Sequence, residues 1–339
     1  MLAFRCLLIQ GLAIALQLTQ AFEDAFMEVD GEGCWFHPLE MEEVDVELPY
    51  DCHDIDQMRL AGLGKPIGNG NWRNVHRIEH KGNVLVYKTL KKKRVRQLAE
   101  SSKLRATFDA RHRLEANIQK ALLGHPNIVQ MHGHCGDTMV TELLPVTLED
   151  HVKGLEEDID IRTILQLMLD MANGLKVLHE MPGGPIAHGD FMPDQVLLDS
   201  NGTAKITDFN DARAIREDAV SGNFCRFEWS DSSGNWRTPE EYSEEGGFTH
   251  MIDMYSLGHT GYFLLARDDE SPFKEEPGYK ERILAGERPP IDPSWHAGFV
   301  ALIQELCATE ATERPSAAET VLRLEEMISE LGSEDAKNA

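Results

Sequence analysis

A chain of 339 residues, 42% hydrophobic and 27% charged, has the length and composition of a globular protein with one large core or two lobes. Its formal charge of −25 excludes a general nucleic-acid binder, which needs clustered Lys and Arg. The same acidity favours basic or metal-bearing partners.

The N-terminus reads as an export address. Arg5 precedes an apolar run from Leu7 to Leu18, and Thr19-Gln20-Ala21 supplies small residues at a cleavage site. Residues 1–21 are therefore expected to be a secretory signal peptide cut after Ala21, with a signal anchor as the weaker reading. Gln10 and Gln17 interrupt the run, and no later segment is apolar enough to span a bilayer. The expected location is the ER or Golgi lumen, or outside the cell. Loss of Cys6 leaves Cys34, Cys52, Cys135, Cys225 and Cys307. An oxidising compartment allows a bridge between Cys34 and Cys52, while Cys135 and Cys307 are expected as small buried apolar residues. The odd count leaves a thiol free or paired between chains. Asn201-Gly202-Thr203 is a possible glycan acceptor.

Residues 22–59 form an acidic, cysteine-containing lead-in, in which 40–47 suit a short edge strand or a solvated run. Val75–Ile78 and Val84–Leu90 are expected strands around a turn at Lys81-Gly82-Asn83. The basic run Lys91–Arg96 reads as a solvated approach to a helix over Leu98–Leu123. Ile128–Met131 and Met139–Leu143 are short strand candidates, and Leu148–Val152 opens a helix. Ile161–His179 is amphipathic, with Ile161, Ile164, Leu165, Met168, Met171, Leu175 and Leu178 on one face. Val196–Leu198 and Ala204–Ile206 flank a hairpin turn. The chain after Pro239 reads as helical, and its last helix opens with a capping box at Ser316-Ala317-Ala318-Glu319. Strands crowd the first half and helices the second, which gives α+β layers in two lobes. The expected boundaries are a folded unit over 60–331, divided at 143/144, and a polar tail over 332–339.

His188-Gly189-Asp190 places one carboxylate after a histidine, and Asp208-Phe209-Asn210 places a second beyond the hairpin. One acid can orient a hydroxyl while the other holds a metal that neutralises phosphate. Gly68-Asn69-Gly70-Asn71-Trp72-Arg73-Asn74-Val75 is a glycine-rich turn between strands, and Lys88 ends the apolar run Leu85-Val86-Tyr87.

Together these segments resemble the protein kinases, as a divergent secretory-pathway member. The resemblance implies a bilobal fold, with a small, mostly antiparallel lobe carrying one main helix and a larger helical lobe. It implies ATP, bound through Gly68, Gly70, Val75 and Lys88, with Glu115 orienting Lys88. It also implies Mg2+, or Mn2+, held by Asp208 and Gln195, and Asp190 as the catalytic carboxylate. His188 is expected to be structural. Trp236-Arg237-Thr238-Pro239-Glu240 resembles the end of an activation segment, Asp253 to Gly258 the helix that anchors the catalytic loop, and Arg314 the partner of Glu240. The loops also show weaker similarity to the aminoglycoside and choline kinases and to the protein O-mannose kinase type.

The departures from the family pattern are specific. Arg73 stands at the third glycine, where it either crowds the cleft or donates to phosphate. Met192 removes a lysine that commonly contacts the transferred phosphate, with no replacement evident in the sequence. Gln195 replaces a metal-binding asparagine. Gly189 replaces an arginine that reads a phosphate on the activation segment, so switching by that phosphorylation is not expected. Asn210 replaces a glycine and is expected to tolerate its left-handed turn. The expected activity is transfer of the γ-phosphate of ATP to a hydroxyl of a protein or glycan; the alternative is a pseudokinase, a nucleotide-binding or scaffolding module without catalysis.

Overall fold

The computed structural model describes residues 41–218, 222–227, 236–243, 247–267 and 278–338. The signal-peptide reading and Cys34 lie outside the described residues.

Helix α1 (Cys52–Ala61) precedes the sheet, a helix the lead-in reading did not anticipate. Its periodicity is faint, but Asp51 accepts from the Asp54 amide at 2.9 Å, and Ile55 and Met58 are buried against the sheet. A disulfide joins Cys52 to Cys135, which corrects both the Cys34–Cys52 pairing and the reading of Cys135 as a buried thiol. Only the folded chain brings these two positions, 83 residues apart, together. Cys225 is also disulfide-bonded, and Cys307 is free and buried, as expected. Residues 41–47 form no strand.

The sheet contains β1 (Pro66–Asn69), β2 (Arg73–His80), β3 (Asn83–Leu90), β4 (Met131–Cys135) and β5 (Thr138–Glu142), in the order β1-β2-β3-β5-β4 and antiparallel throughout. Lys81 and Gly82 both take positive φ, 49° and 79°, which gives the twist a two-residue hairpin requires. The helix expected from Leu98 is two helices, α2 (Lys92–Glu100) and α3 (Ser102–Ala121). Ser101 breaks them, since its backbone is extended and its hydroxyl caps α3 at the Leu104 amide. The expected strand over 128–131 lies later: Ile128 and Val129 are buried, but they pair with the strand ahead of Asp208. The Val129 amide donates to the Ile206 carbonyl at 3.0 Å, and the Ile206 amide to the Asn127 carbonyl at 2.9 Å.

The larger layer is built on α5 (Ile161–His179), which follows β6 (Val146–Thr147) and α4 (Leu148–Gly154). Its expected apolar face is buried from Ile164 to Leu178, with Ile161 in the first turn half-buried, and Asp160 caps that turn. The following strands are β7 (Ile186–Ala187), β8 (Val196–Leu198), β9 (Ala204–Ile206) and β10 (Arg213–Ala214); β8 and β9 form the expected hairpin. Gly174 of α5 lets β9 approach, because a Cβ there would sit 2.6 Å from Ile206 Cδ1 and 3.0 Å from the Asn127 carbonyl. Helices α6 (Pro239–Tyr242), α7 (Met251–Ala266), α8 (Tyr279–Leu284), α9 (Ala297–Leu306) and α10 (Ala317–Asn338) complete the layer. Ser316 and Glu319 make the expected capping box, and α10 continues through the segment read as a polar tail. One core joins α5, α7, α9 and α10 to Leu114 and Ile118 of α3. Among the described residues, no helix is long and apolar enough to cross a membrane.

Candidate active site

A cleft of about 590 Å³ opens between the sheet and the helical layer. Gly70 lines it from the β1–β2 turn, Arg73, Val75 and Lys88 from the sheet, Arg111 and Glu115 from α3, and Asp190, Asp194, Gln195 and Asp208 from the loops beside the β8–β9 hairpin. Lys88 sits mid-sheet, opposite Val75 on β2 and Met139 on β5. Gly68 stands opposite Val75 in β1 and is not among the residues lining the cleft.

Glu115 does not pair with Lys88. Arg73 donates Nη1 to Glu115 Oε1 at 2.9 Å and Nη2 to Oε2 at 2.7 Å, and Nη2 also reaches His112 Nδ1 at 2.6 Å. His112 Nε2 donates to the Gly136 carbonyl at 2.8 Å, which leaves Nδ1 as the acceptor. Burial alone would raise the Glu115 carboxyl, but the Arg73 guanidinium outweighs it and holds the group well below the usual carboxylate range. Arg73 therefore neither crowds the cleft nor offers its Nη atoms to phosphate. A planar fork at the start of β2 reaches the carboxylate in the place assigned to the lysine. Lys88 is left without a carboxylate partner among the described residues.

Further contacts fix α3 near its start and at its middle. Arg105 pairs in fork geometry with Asp137 in the β4–β5 turn at 2.8 and 3.0 Å, and Arg111 pairs with Asp211, just after Asp208, at 2.9 Å. Trp72 at the tip of the glycine-rich turn stacks on Phe108 with ring centres 5.5 Å apart, and Arg94 of α2 lies 4.4 Å over Trp72. The turn is thereby tied to α3.

The catalytic loop hangs from Asp253 of α7. Its carboxylate accepts from the amides of His188 at 2.8 Å and Gly189 at 3.0 Å, and it also bonds His179 at 3.0 Å. His188 is fully buried and structural: Nε2 donates to the Thr207 carbonyl at 2.9 Å, and Nδ1 accepts from the Asp190 amide at 3.3 Å. Gly189 takes φ 80°, which suits glycine. Burial raises the Asp190 carboxyl above its ordinary value, although Arg237 opposes the shift.

The left-handed residue in the next loop is Asp208 itself, with φ 63° and ψ 65°, and not Asn210. Phe209–Asp211 form a single 3-10 turn, and Asn210 Nδ2 donates to Asp208 Oδ1 at 2.6 Å. Asparagine thus steadies the carboxylate instead of adopting glycine's backbone. Gln195 Nε2 faces Asp194 Oδ2 at 3.3 Å. Asp194 Oδ1 is buried without a protein partner, and burial, reinforced by Asp190, pushes this carboxyl up to about 6.

Two cations answer the end of the activation segment. Arg314 forks onto Glu240 with both contacts at 2.6 Å, as expected. Arg237 donates Nη1 to the Gly189 carbonyl at 3.0 Å and Nη2 to Asp190 Oδ1 at 3.1 Å. Sequence reasoning missed this second contact, because it joins residues 47 apart that no local pattern links.

The profile of the protein kinase domain matches residues 62–323, most of the chain. The chain belongs to the protein kinase domain family. Among its relatives, the "Probable serine/threonine-protein kinase drkD" of Dictyostelium discoideum is 30% identical over 302 residues, which is 86% of this chain and 21% of that protein. The "Serine/threonine-protein kinase STY46" of Arabidopsis thaliana is 24% identical over 304 residues, 85% of this chain and 48% of that protein. The chain thus spans between a fifth and about half the length of these two curated relatives.

A protein kinase domain implies ATP and a divalent metal, and the residues present fit both. Among the described residues, no three of His, Cys, Asp and Glu converge as a metal cage. The cleft instead offers the Asp208 carboxylate, the Gln195 amide and the unpartnered Asp194 oxygen. Magnesium is commonly bound by one or two carboxylates and completed by phosphates and water.

Proposed function

We infer that the protein is an ATP-dependent phosphotransferase that moves the γ-phosphate to a hydroxyl of a protein. One observation carries the reading: Lys88, Asp190 and Asp208, from three separate segments, line a single cleft. Lys88 is the cation for the α and β phosphates, beneath a roof of Gly70 and Val75, with Gly68 shaping the turn behind them. Asp190 orients the acceptor hydroxyl. Asp208, helped by Gln195, would hold the magnesium or manganese, which when bound offsets phosphate charge. Glu115 acts at one remove, by fixing α3 through Arg73.

A secretory setting goes with this reading. The Cys52–Cys135 disulfide and the bonded Cys225 support an oxidising compartment, the ER or Golgi lumen or the exterior. Asn201 is exposed in the β8–β9 turn, as a glycan acceptor must be. A glycan hydroxyl is the alternative substrate for the same cleft.

The competing reading is a pseudokinase, favoured by Met192 and by a Gln195 amide nitrogen turned toward Asp194. Incubation of purified protein with radiolabelled ATP, Mg2+ or Mn2+, and a panel of proteins and glycopeptides separates the two. Metal-dependent transfer to protein, lost in Asp208→Asn, is the expected result. Metal-indifferent nucleotide binding with no transfer to any acceptor would establish the pseudokinase instead.

A further inference from the structure

Met192 leaves the catalytic loop short of a cation, since no Lys or Arg occurs between His188 and Gln195. A kinase that gathers negative charge at the γ-phosphate needs a positive group near its base, both to hold the base in place and to keep it ionised. We propose that Arg237 is the positioning residue for Asp190, supplying from the end of the activation segment the cation that the catalytic loop lacks. The proposal rests on the phosphotransfer reading above.

The geometry suits that task. Arg237 grips the backbone of the loop at the Gly189 carbonyl and the side chain at Asp190 Oδ1, with 3.0 and 3.1 Å contacts. The other carboxylate oxygen, Oδ2, has no protein hydrogen bond among the described residues, while Asp190 lines the cleft. One oxygen is therefore held and the other is left for the acceptor. In transfer, the acceptor oxygen bonds to the γ-phosphorus as the bond to the β–γ bridging oxygen breaks. That oxygen leaves on ADP with the electron pair, and the hydroxyl proton passes to Asp190 Oδ2.

The mounting of Arg237 is rigid. Thr238 and Glu241 form a reciprocal capping box directly after it, and Glu241 Oε1 lies 3.5 Å from Arg237 Nη1. Glu240 is forked onto Arg314, whose side chain is buried. The base is thus complete only while this end of the segment is docked, so the placement of the segment and the readiness of Asp190 are one event. The same contact admits an opposite role, a brake that occupies the base, and the two predict opposite rates.

The test compares Arg237→Met, Arg237→Lys and the double variant Arg237→Met with Met192→Lys, all in the full chain, with MgATP hydrolysis as the readout and water as acceptor. Arg237→Met is expected to lower kcat about 100-fold with the KM for ATP within about threefold, which is the effect of removing a fixed charge-stabilising group. The acid limb of its pH profile should move up by about one unit, as expected on loss of a neighbouring guanidinium. Asp190 faces Arg237, His188, Asp194, Asp208 and Asp211, and only the first is altered. Arg237→Lys should fall between, and the double variant should recover at least tenfold over Arg237→Met, a rescue that a merely structural arginine would not give. An unchanged or faster Arg237→Met, or a folded double variant with no recovery, overturns the proposal. A second readout needs no turnover: the carboxyl 13C titration of Asp190, assigned against Asp190→Asn, should have its midpoint raised in Arg237→Met, or in Arg237→Lys if the methionine variant does not fold. Equal midpoints overturn the proposal, whereas a shifted midpoint in a protein that hydrolyses no MgATP supports the pairing and contradicts the phosphotransfer reading.

Discussion

Arg73 at the start of β2 and Glu115 in the middle of α3 form a buried two-pronged ion pair, with contacts of 2.9 and 2.7 Å across 42 residues. It divides a task that one lysine was expected to perform. The arginine holds the helix, and Lys88 remains in the cleft with no carboxylate partner among the described residues.

That division predicts different failures for the two cations. Removing one partner of a buried ion pair leaves an uncompensated charge, at a loss of about 3–5 kcal/mol. Arg73→Met should therefore lower unfolding free energy by that order, and Arg73→Met with Glu115→Leu should lower it less. Lys88→Met should change stability by less than about 1 kcal/mol, because no ion pair is lost, yet should abolish transfer. Urea denaturation with parallel activity assays checks this. Equal destabilisation by both single variants would contradict the division.

The Cys52–Cys135 bridge closes a long loop and fastens α1 to the sheet. Replacing both cysteines by serine is expected to lower stability by about 2–4 kcal/mol. Hydrogen exchange should then quicken first at the amides of residues 52–61. Because Cys135 adjoins the turn whose Asp137 and Gly136 hold Arg105 and His112 of α3, exchange in α3 should rise next. Unchanged protection in 52–61 after reduction contradicts this account of how α1 is held.

Glu241 gives a pH signature. Burial pushes its carboxyl up to about 7, against the opposing effect of Arg237. A carboxyl raised in the folded state binds its proton more tightly there than in the unfolded chain, so its contribution to stability falls as pH rises from about 4.5 to about 7. Glu241→Gln removes that slope and should exceed the wild type by about 2–3 kcal/mol above pH 7, with the difference vanishing below pH 4. Burial also lowers His134 to about 4 and His250 and His259 to about 3, so the acid side carries a second slope of opposite sign. The difference between variant and wild type isolates the glutamate, and a difference independent of pH contradicts its assignment.

Local patterns in the sequence carried much of the fold. The stripe from Ile164 to Leu178 locates α5 because a 3.6-residue period survives burial on one face. Lys81-Gly82 and Asn201-Gly202 locate two hairpins because their turns demand residues that tolerate positive φ. Helix α1 escaped because its fold depends on a disulfide partner 83 residues away and not on its own amphipathicity. The break at Ser101 was legible in principle, since a serine three residues before Leu104 is a capping signal. Cleft residues were legible as a set but not as pairs. Arg73 with Glu115, Arg111 with Asp211, and Arg237 with Asp190 each join distant segments, and charge alone does not say which carboxylate an arginine will meet. Asn210 was misplaced for the opposite reason: a backbone role was assigned to a residue whose side chain does the stabilising.

The central claim is that Asp190 and Asp208 act on one phosphate from a shared cleft, and the most direct measurement is transfer of labelled γ-phosphate by wild type and by Asp190→Asn at equal nucleotide occupancy. The account predicts metal-dependent transfer by the wild type and a loss of at least about 100-fold in Asp190→Asn, with ATP affinity and melting temperature nearly unchanged. Undiminished transfer by Asp190→Asn would contradict it.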